Sequence, residues 1–340
     1  MNTRDRARYA SGSEQEAEYQ RPQKRLRTSP SPDRPNGNGH TSMSLPPLSV
    51  SILGVEPLDE FIREVADFVH HMIMTRAPDL QGQVEVEAKI GVLKDKGTGR
   101  RIALPVLVET ILTPQEIDCR FESNMSASQH KHFNKLLNEL RTASSQPGHP
   151  STTLAYDHLR LVDSFYSSEG SGDRDKIRVT RNEKTNEVIE CLRKVRLGNL
   201  DIYSPKRAAD WRISVNVEVP GEYPSIGNDH PLCRAAKTIP VKHPIGTATL
   251  KRRKDRMSYS HEEFRIDLTQ VTSQAAQSQQ PEILHELELE FARPALLLAT
   301  AAKRNDENVT EHEQSAFDEL IRAFVNNARI LVRNAGEGWQ

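Results

Sequence analysis

Val84-Glu85-Val86-Glu87-Ala88-Lys89-Ile90 alternates apolar and charged residues one for one, the period of a half-buried strand with one apolar and one charged face. Glu85 and Glu87 therefore point the same way. Near the C-terminal end the pattern returns in Glu286-Leu287-Glu288-Leu289-Glu290-Phe291, with the glutamates on one face and Leu287, Leu289 and Phe291 on the other. Same-face neighbours along a strand lie about 6.6 to 6.8 Å apart, so such an acidic ladder repels itself unless a cation or basic residues sit opposite. A single Glu-x-Glu strand is ordinarily the wet face of an antiparallel sheet. A second strand of the same kind weakens that reading, and the chain between the two decides it.

The 340 residues are 36% hydrophobic and 27% charged, which fits one large or two modest soluble domains. No apolar run approaches the ~20 residues that cross a bilayer, and Met1-Asn2-Thr3-Arg4-Asp5 lacks the apolar core of a secretory signal, so no membrane association is expected. Cys119, Cys191 and Cys233 are few, odd in number and far apart, which argues against a disulfide framework or a cysteine zinc site and for a reducing compartment. The net charge of -1 hides a separation of acidic and basic segments, so an anionic partner must be met by a local site.

Residues 1 to 45 are rich in Arg, Glu, Ser, Pro, Gly and Asn, with Leu26 and Met43 almost the only large apolar residues. Such a segment reads as a disordered N-terminal tail. It carries Lys24-Arg25-Leu26-Arg27, a nuclear-import or nucleic-acid patch or simply a solubilising cluster, and the Ser29-Pro30 and Ser31-Pro32 sites for a proline-directed kinase. A folded domain is expected over 50 to 340. Leu58, Phe61, Ile62, Val65, Phe68, Val69, Met72 and Ile73 predict a helix over 57 to 76 with Pro57 in its first turn. A strand over 84 to 93, a turn over 94 to 101 and another strand over 102 to 110 follow. Phe133, Leu136, Leu137 and Leu140 predict a helix over 127 to 142 capped by Ser126. Phe317, Leu320, Ile321, Phe324, Val325, Ala328 and Leu331 predict a closing helix, with Gly336 just past it.

Between these lie short β-like runs. Arg178 and Thr180 alternate with Ile177 and Val179; Lys194 and Arg196 share a face with Leu192; Arg212, Ser214, Asn216 and Glu218 oppose Trp211, Ile213, Val215, Val217 and Val219; the run from Phe264 to Thr269 repeats the scheme. The charged faces are acidic at the two ends of the chain and basic in the middle. If these strands close into a barrel with helices on its apolar outside, the charges line a lumen and must satisfy one another or a ligand. A lumen with carboxylates on one wall and Arg and Lys on the others suits a polyanion with its metal ion, and oxygen-only ligands suit Mg²⁺ or Mn²⁺.

Val-Glu-Val-Glu-Ala-Lys at 84 to 89 resembles the Glu-x-Glu-x-Lys signature of the triphosphate tunnel metalloenzymes, and Glu-Leu-Glu-Leu-Glu at 286 to 290 resembles their closing acidic strand. Lys-Ile-Arg-Val-Thr (176 to 180), Arg-Lys-Val-Arg-Leu-Gly-Asn-Leu-Asp-Ile-Tyr-Ser-Pro (193 to 205), Asp-Trp-Arg-Ile-Ser-Val-Asn-Val-Glu (210 to 218), Arg-Lys-Asp-Arg-Met-Ser-Tyr (253 to 259) and Arg-Ile-Asp-Leu-Thr (265 to 269) resemble, in order, the motifs of the fungal mRNA-capping enzyme beta subunit, a polynucleotide 5'-triphosphatase. The resemblance runs from about residue 50 to the C-terminus. It implies an α+β fold: a closed antiparallel eight-stranded β-barrel, the triphosphate tunnel, with helices packed on the outside. It implies that Glu85, Glu87 and Glu290 ligate Mg²⁺ or Mn²⁺ while Glu286 and Glu288 shape the site. Arg178, Lys194, Lys254 and Arg256 would hold the phosphates, and Glu218 would orient or deprotonate the attacking water. Asp163, Asp267 and Thr269 would be supporting residues, although Asp163 shares strand parity with Leu161 and Phe165.

The implied reaction is removal of the γ-phosphate from 5'-triphosphate-ended nascent RNA in the nucleus, the first step of cap formation. Its parts fit: Arg and Lys neutralise charge, glutamates hold a metal, and Glu218 is the one strand-borne carboxylate on a basic segment that could govern the water. Other readings are a tunnel enzyme acting on inorganic triphosphate or nucleoside triphosphates, and a non-catalytic polyphosphate or RNA-end binding module, which the retained glutamates argue against. The implied partner is the mRNA guanylyltransferase, the capping enzyme alpha subunit, which in some members docks on a Trp-containing segment; residues 1 to 56 hold no Trp. A homodimer is implied by the resemblance alone.

Overall fold

The computed structural model describes residues 48–54, 59–113, 116–167, 176–221, 245–276, 280–336 and 339. The basic cluster at Lys24 to Arg27, the two Ser-Pro sites, Pro57 and Cys233 lie outside them. The described elements are α1 (Glu60–Met74), β1 (Gln83–Asp95), β2 (Thr110–Ile111), β3 (Cys119–Glu122), α2 (Ala127–Ser144), β4 (Ala155–Ser167), β5 (Lys176–Asn182), β6 (Val188–Tyr203), β7 (Asp210–Pro220), β8 (Ile245–His261), β9 (Phe264–Ala275), β10 (Glu282–Phe291), α3 (Pro294–Lys303) and α4 (Glu311–Arg333).

Eight strands pair antiparallel in the order β10-β9-β8-β4-β5-β6-β7-β1, and β1 pairs back onto β10, so the sheet closes into a barrel. At the closure Glu87 stands opposite Glu290, Ala88 opposite Leu289 and Lys89 opposite Glu288. The two stretches with the strongest alternation are thus neighbours in space. β3 extends β1 at one end, and β2 pairs with β6.

Directly paired residues share a face, so the register sorts the strands into an outside and a lumen. Outside, Val84, Val86, Ala88 and Ile90 are at most 1% exposed, as are Ile213, Val215, Val217, Leu287 and Leu289. They form one apolar cluster with Val65, Val69 and Ile73 of α1, Phe133 and Leu137 of α2, Leu297 of α3, and Phe317, Ile321 and Phe324 of α4. At ~1.5–3 kcal/mol for each large side chain fully removed from water, this layer is what closes the barrel and holds the helices.

The helix ends are set by local caps. Asp59 accepts from the backbone N–H groups of Phe61 and Ile62 at 3.1 and 3.3 Å and caps α1, which begins at Glu60. Ser126 caps α2 as expected, at 3.2 Å to Gln129 N. Thr310 and Glu313 form a reciprocal capping box that starts α4 ahead of its apolar stripe. The strand expected over 102 to 110 does not form; only Thr110–Ile111 pairs, with an isolated bridge between Lys94 and Arg101. Neither β3 nor the short α3 was expected.

In β6 the register shifts between Arg196 and Gly198. A Cβ at Gly198 would lie 2.7 Å from Met72 Sδ of α1, so glycine here lets the helix seat against a bulge. The bulge exchanges the faces: Lys194 and Arg196 pair with Glu218 and Asn216 on the lumen side, and beyond it Asn199 and Asp201 take that side opposite Ser214 and Arg212.

Candidate active site

The lumen is a ring of interlocked charges. On the acidic wall, Lys194 of β6 reaches across to Glu85 and, at 3.1 Å, to Glu87. Asn216 of β7 donates to the same two carboxylates at 3.0 and 3.4 Å. Lys89 bridges Glu87 at 3.4 Å and Glu288. Glu290 is held by Arg265 of β9, its register partner, and Glu286 by Arg252 of β8 at 2.8 Å.

On the basic walls, Arg178 of β5 sits between Glu190 of β6 at 2.7 Å and Glu218 of β7 at 3.2 Å. Lys254 pairs with Asp163 at 2.5 Å, and Thr180 donates to the same carboxylate at 2.7 Å. Arg256 pairs with Asp267 at 2.7 Å, lies 3.7 Å from Glu288 and donates to Thr269 Oγ1 at 3.2 Å. Ser258 completes the shell of Asp267 at 2.6 Å. Beyond the β6 bulge Arg212 makes a two-pronged pair with Asp201 at 2.6 and 2.8 Å, and both line a pocket of about 580 Å³ with Asn199, Lys96, Asp118 and Cys119.

Every site residue expected from the sequence therefore faces this lumen. Asp163 does so with Lys254 and Thr180 as partners and is 1% exposed, so its shared parity with Leu161 and Phe165 means that β4 also turns apolar residues inward. The sequence reading missed the counter-ions Lys89, Glu190, Arg252 and Arg265, together with Asn216 and the Arg212–Asp201 pair. Glu218 is consequently not the only carboxylate among basic strands: Glu190 sits nearer to Arg178. Period-two parity would have added Arg252 to Lys254 and Arg256, and Glu190 to Lys194. Asp201 was hidden by the bulge.

Burial and neighbours set the protonation states apart. Glu218 is pushed up to about 7, first by burial and then by the charge of Glu85, with Arg178 pulling it down. Burial also pushes Glu290 up to about 8; Arg265 opposes this, while Asp267, Glu85 and Glu288 add to it. Glu288 goes the other way: although burial alone would raise it, Lys89 and Arg256 hold it well below the usual carboxylate range. Burial works against the charged form of Lys89, yet Glu288 and Glu87 keep it protonated well above its usual range. Lys254 is lowered, mainly by burial, with Asp163 acting against. The lumen thus holds one carboxylate poised near neutrality beside Arg178, and one that resists ionising where negative charge accumulates.

Glu85, Glu87 and Glu290 offer oxygen ligands only, and Glu87 stands directly opposite Glu290 across the closure; this donor set fits a hard divalent ion. Among the described residues no three His, Cys, Asp or Glu side chains are drawn close enough to hold an ion as they stand; Lys194 pairs with Glu85 and Glu87, and Arg265 with Glu290. An ion would bind by displacing them.

A closed eight-stranded antiparallel barrel whose lumen sets a carboxylate wall against Arg and Lys is a tunnel of the triphosphatase class. The family model described as mRNA capping enzyme, beta chain, matches residues 55–337, and the chain belongs to that family. It is 36% identical over 293 residues to the mRNA-capping enzyme subunit beta of Schizosaccharomyces pombe, covering 86% of this chain and 87% of the relative. It is 32% identical to the Cryptococcus neoformans subunit beta, covering 85% of this chain and 65% of that one. The solved structure of the S. pombe Pct1 RNA triphosphatase in complex with the Spt5 CTD superposes with a TM-score of 0.70 at 33% identity, covering 85% of this chain and 100% of that one.

Proposed function

We propose that the lumen removes the γ-phosphate from 5'-triphosphate-ended RNA, the first step in building an mRNA cap. The chain is a polynucleotide 5'-triphosphatase, and its family implies a metal-dependent one. The observation that carries this reading is the pairing of Glu87 with Glu290 across the β1–β10 closure, with Lys and Arg on the remaining walls.

In this reading Glu85, Glu87 and Glu290 hold Mg²⁺ or Mn²⁺, with Glu286 and Glu288 keeping Arg252 and Lys89 in place beside them. A bound divalent ion supplies charge neutralisation and polarises a phosphoryl oxygen. Arg178, Lys194, Lys254 and Arg256 meet the phosphates by exchanging their carboxylate partners for phosphoryl oxygens. This exchange lets a polyanion enter a lumen whose charges are already paired. Glu218, poised near neutrality and freed as Arg178 turns to phosphate, orients the water or takes its proton. Asp163, Asp267 and Thr269 fix Lys254 and Arg256.

The catalytic unit spans 50 to 340, with 1 to 45 as an appended tail. The chain works in the nucleus beside an mRNA guanylyltransferase, as a homodimer. Phosphate release from 5'-triphosphate RNA, measured with Mg²⁺, with Mn²⁺ and with a chelator, tests the reading. Release with metal and none with chelator is expected; release unaffected by chelator, or none under any condition, would contradict it.

A further inference from the structure

If the lumen takes only the triphosphate, the rest of the RNA must leave over one rim, and the rim at the β5–β6 turn has the chemistry to receive it. Arg178, Thr180 and Asn182 lie on one face of β5, a run of about 13 Å from the phosphate-binding Arg178 to the strand's end. There Asn182 and Lys184 of the turn meet His158 and Arg160, which pair with Met257 and Asp255 on the outer face of β4, around a pocket of about 300 Å³ just over the rim. All four offer nitrogen donors. Asn182 Oδ1 accepts from the backbone N–H groups of Lys184 and Thr185 at 2.9 and 3.1 Å, which leaves its amide NH₂ to donate into the pocket.

The charges of Arg160 and Lys184 are not spent on neighbours. Arg160 and Lys184 are exposed, and among the described residues neither pairs with a carboxylate. The two acidic residues beside them are already engaged, Asp255 with His158 and Glu183 with Arg253. Lys251 stands exposed further along β8 and extends the basic track. The neighbouring helix α2 covers Tyr156 and Met257 of the same two strands and leaves this section open.

We propose that the pocket of His158, Arg160, Asn182 and Lys184 grips the phosphodiester backbone of the first nucleotides behind the 5'-triphosphate, so that RNA enters the tunnel over the β5–β6 rim. The proposal rests on the triphosphatase reading. Backbone phosphates are held by just such point charges and amide donors, without sequence preference, and the grip weakens with salt. The substrate's RNA body thereby adds affinity that a free nucleotide lacks.

The test uses the full chain and the double variant Arg160→Ala/Lys184→Ala. For a short single-stranded 5'-triphosphate RNA, KM should rise roughly tenfold and the salt slope of binding should fall by ~1.4, or ~0.7 for each phosphate no longer neutralised. The kcat for RNA and the hydrolysis of a nucleoside triphosphate should not change. Unchanged KM and salt slope for RNA would overturn the proposal, as would equal losses on RNA and nucleotide, which would mean a disturbed lumen. Equal losses in Lys135→Ala, an exposed lysine on α2, would reduce the effect to general charge and overturn it too. Fluorescence anisotropy of the same RNA separates the two failures. If the wild-type chain releases no phosphate the triphosphatase reading falls, while the pocket stands or falls on whether the double variant binds RNA more weakly. Competition by an acidic phosphopeptide without any RNA binding would assign the pocket to a protein partner instead.

Discussion

On β1, Val84, Val86, Ala88 and Ile90 face the helices while Glu85, Glu87 and Lys89 face the lumen, and the two sets are held by different physics. The outer set is removed from water against α1, α3 and α4, where every methyl group adds to stability. The inner set is also largely buried, but its ion pairs must first offset the desolvation of each charge, and buried pairs of this kind commonly do little better than break even against apolar residues. A wall that contributes little to folding is kept for what it binds. The outer face should therefore govern stability and the inner face turnover.

The largest expected effect on turnover follows from Glu85→Ala or Glu87→Ala. Each should abolish phosphate release with Mg²⁺ and with Mn²⁺ while circular dichroism stays that of the folded chain, because Lys194 keeps one of its two carboxylates and Lys89 keeps Glu288. Near wild-type release in either variant would remove that residue from the metal site. Glu218→Gln should lower turnover by ~10² with equal or tighter binding of a non-hydrolysable triphosphate RNA, since a negative charge beside the polyanion is lost. Parallel loss of binding and turnover would make Glu218 a structural residue. On the other face, Ile213→Ala should cost ~2–5 kcal/mol in denaturant unfolding and leave kcat per folded molecule unchanged. A drop in kcat there would show that the two faces are not separable.

The outer face was the easier one to read. In β1, β7 and β10 the alternation is strict, so a period of two sorts both faces without knowledge of the fold. β6 defeats that rule because its register shifts at Gly198, where Met72 approaches from another element, and β4 defeats it because Leu161 and Phe165 turn inward beside Asp163. The counter-ions Lys89, Arg252 and Arg265 were visible as charges, but their partners depend on which strands adjoin. The pairings of β1 with β10, of β8 with β4 and of β9 with β10 are properties of the closed topology. The capping-enzyme resemblance supplied roles to residues whose spacing alone gave only a face.

The most direct test of the division between faces is Glu290→Gln, measured for unfolding free energy and phosphate release on the same preparation. Burial already keeps the Glu290 carboxyl up at about 8, so the amide replaces a group that near neutral pH and without metal is mostly uncharged. The stability change should stay below ~1.5 kcal/mol, the range of one hydrogen bond, because the amide oxygen can still accept from Arg265, while phosphate release is lost because an amide is a far poorer ligand for a divalent ion than a carboxylate. A variant that still releases phosphate, or one that loses stability and activity together, would contradict the claim that the inner wall of this barrel is built for binding and not for folding.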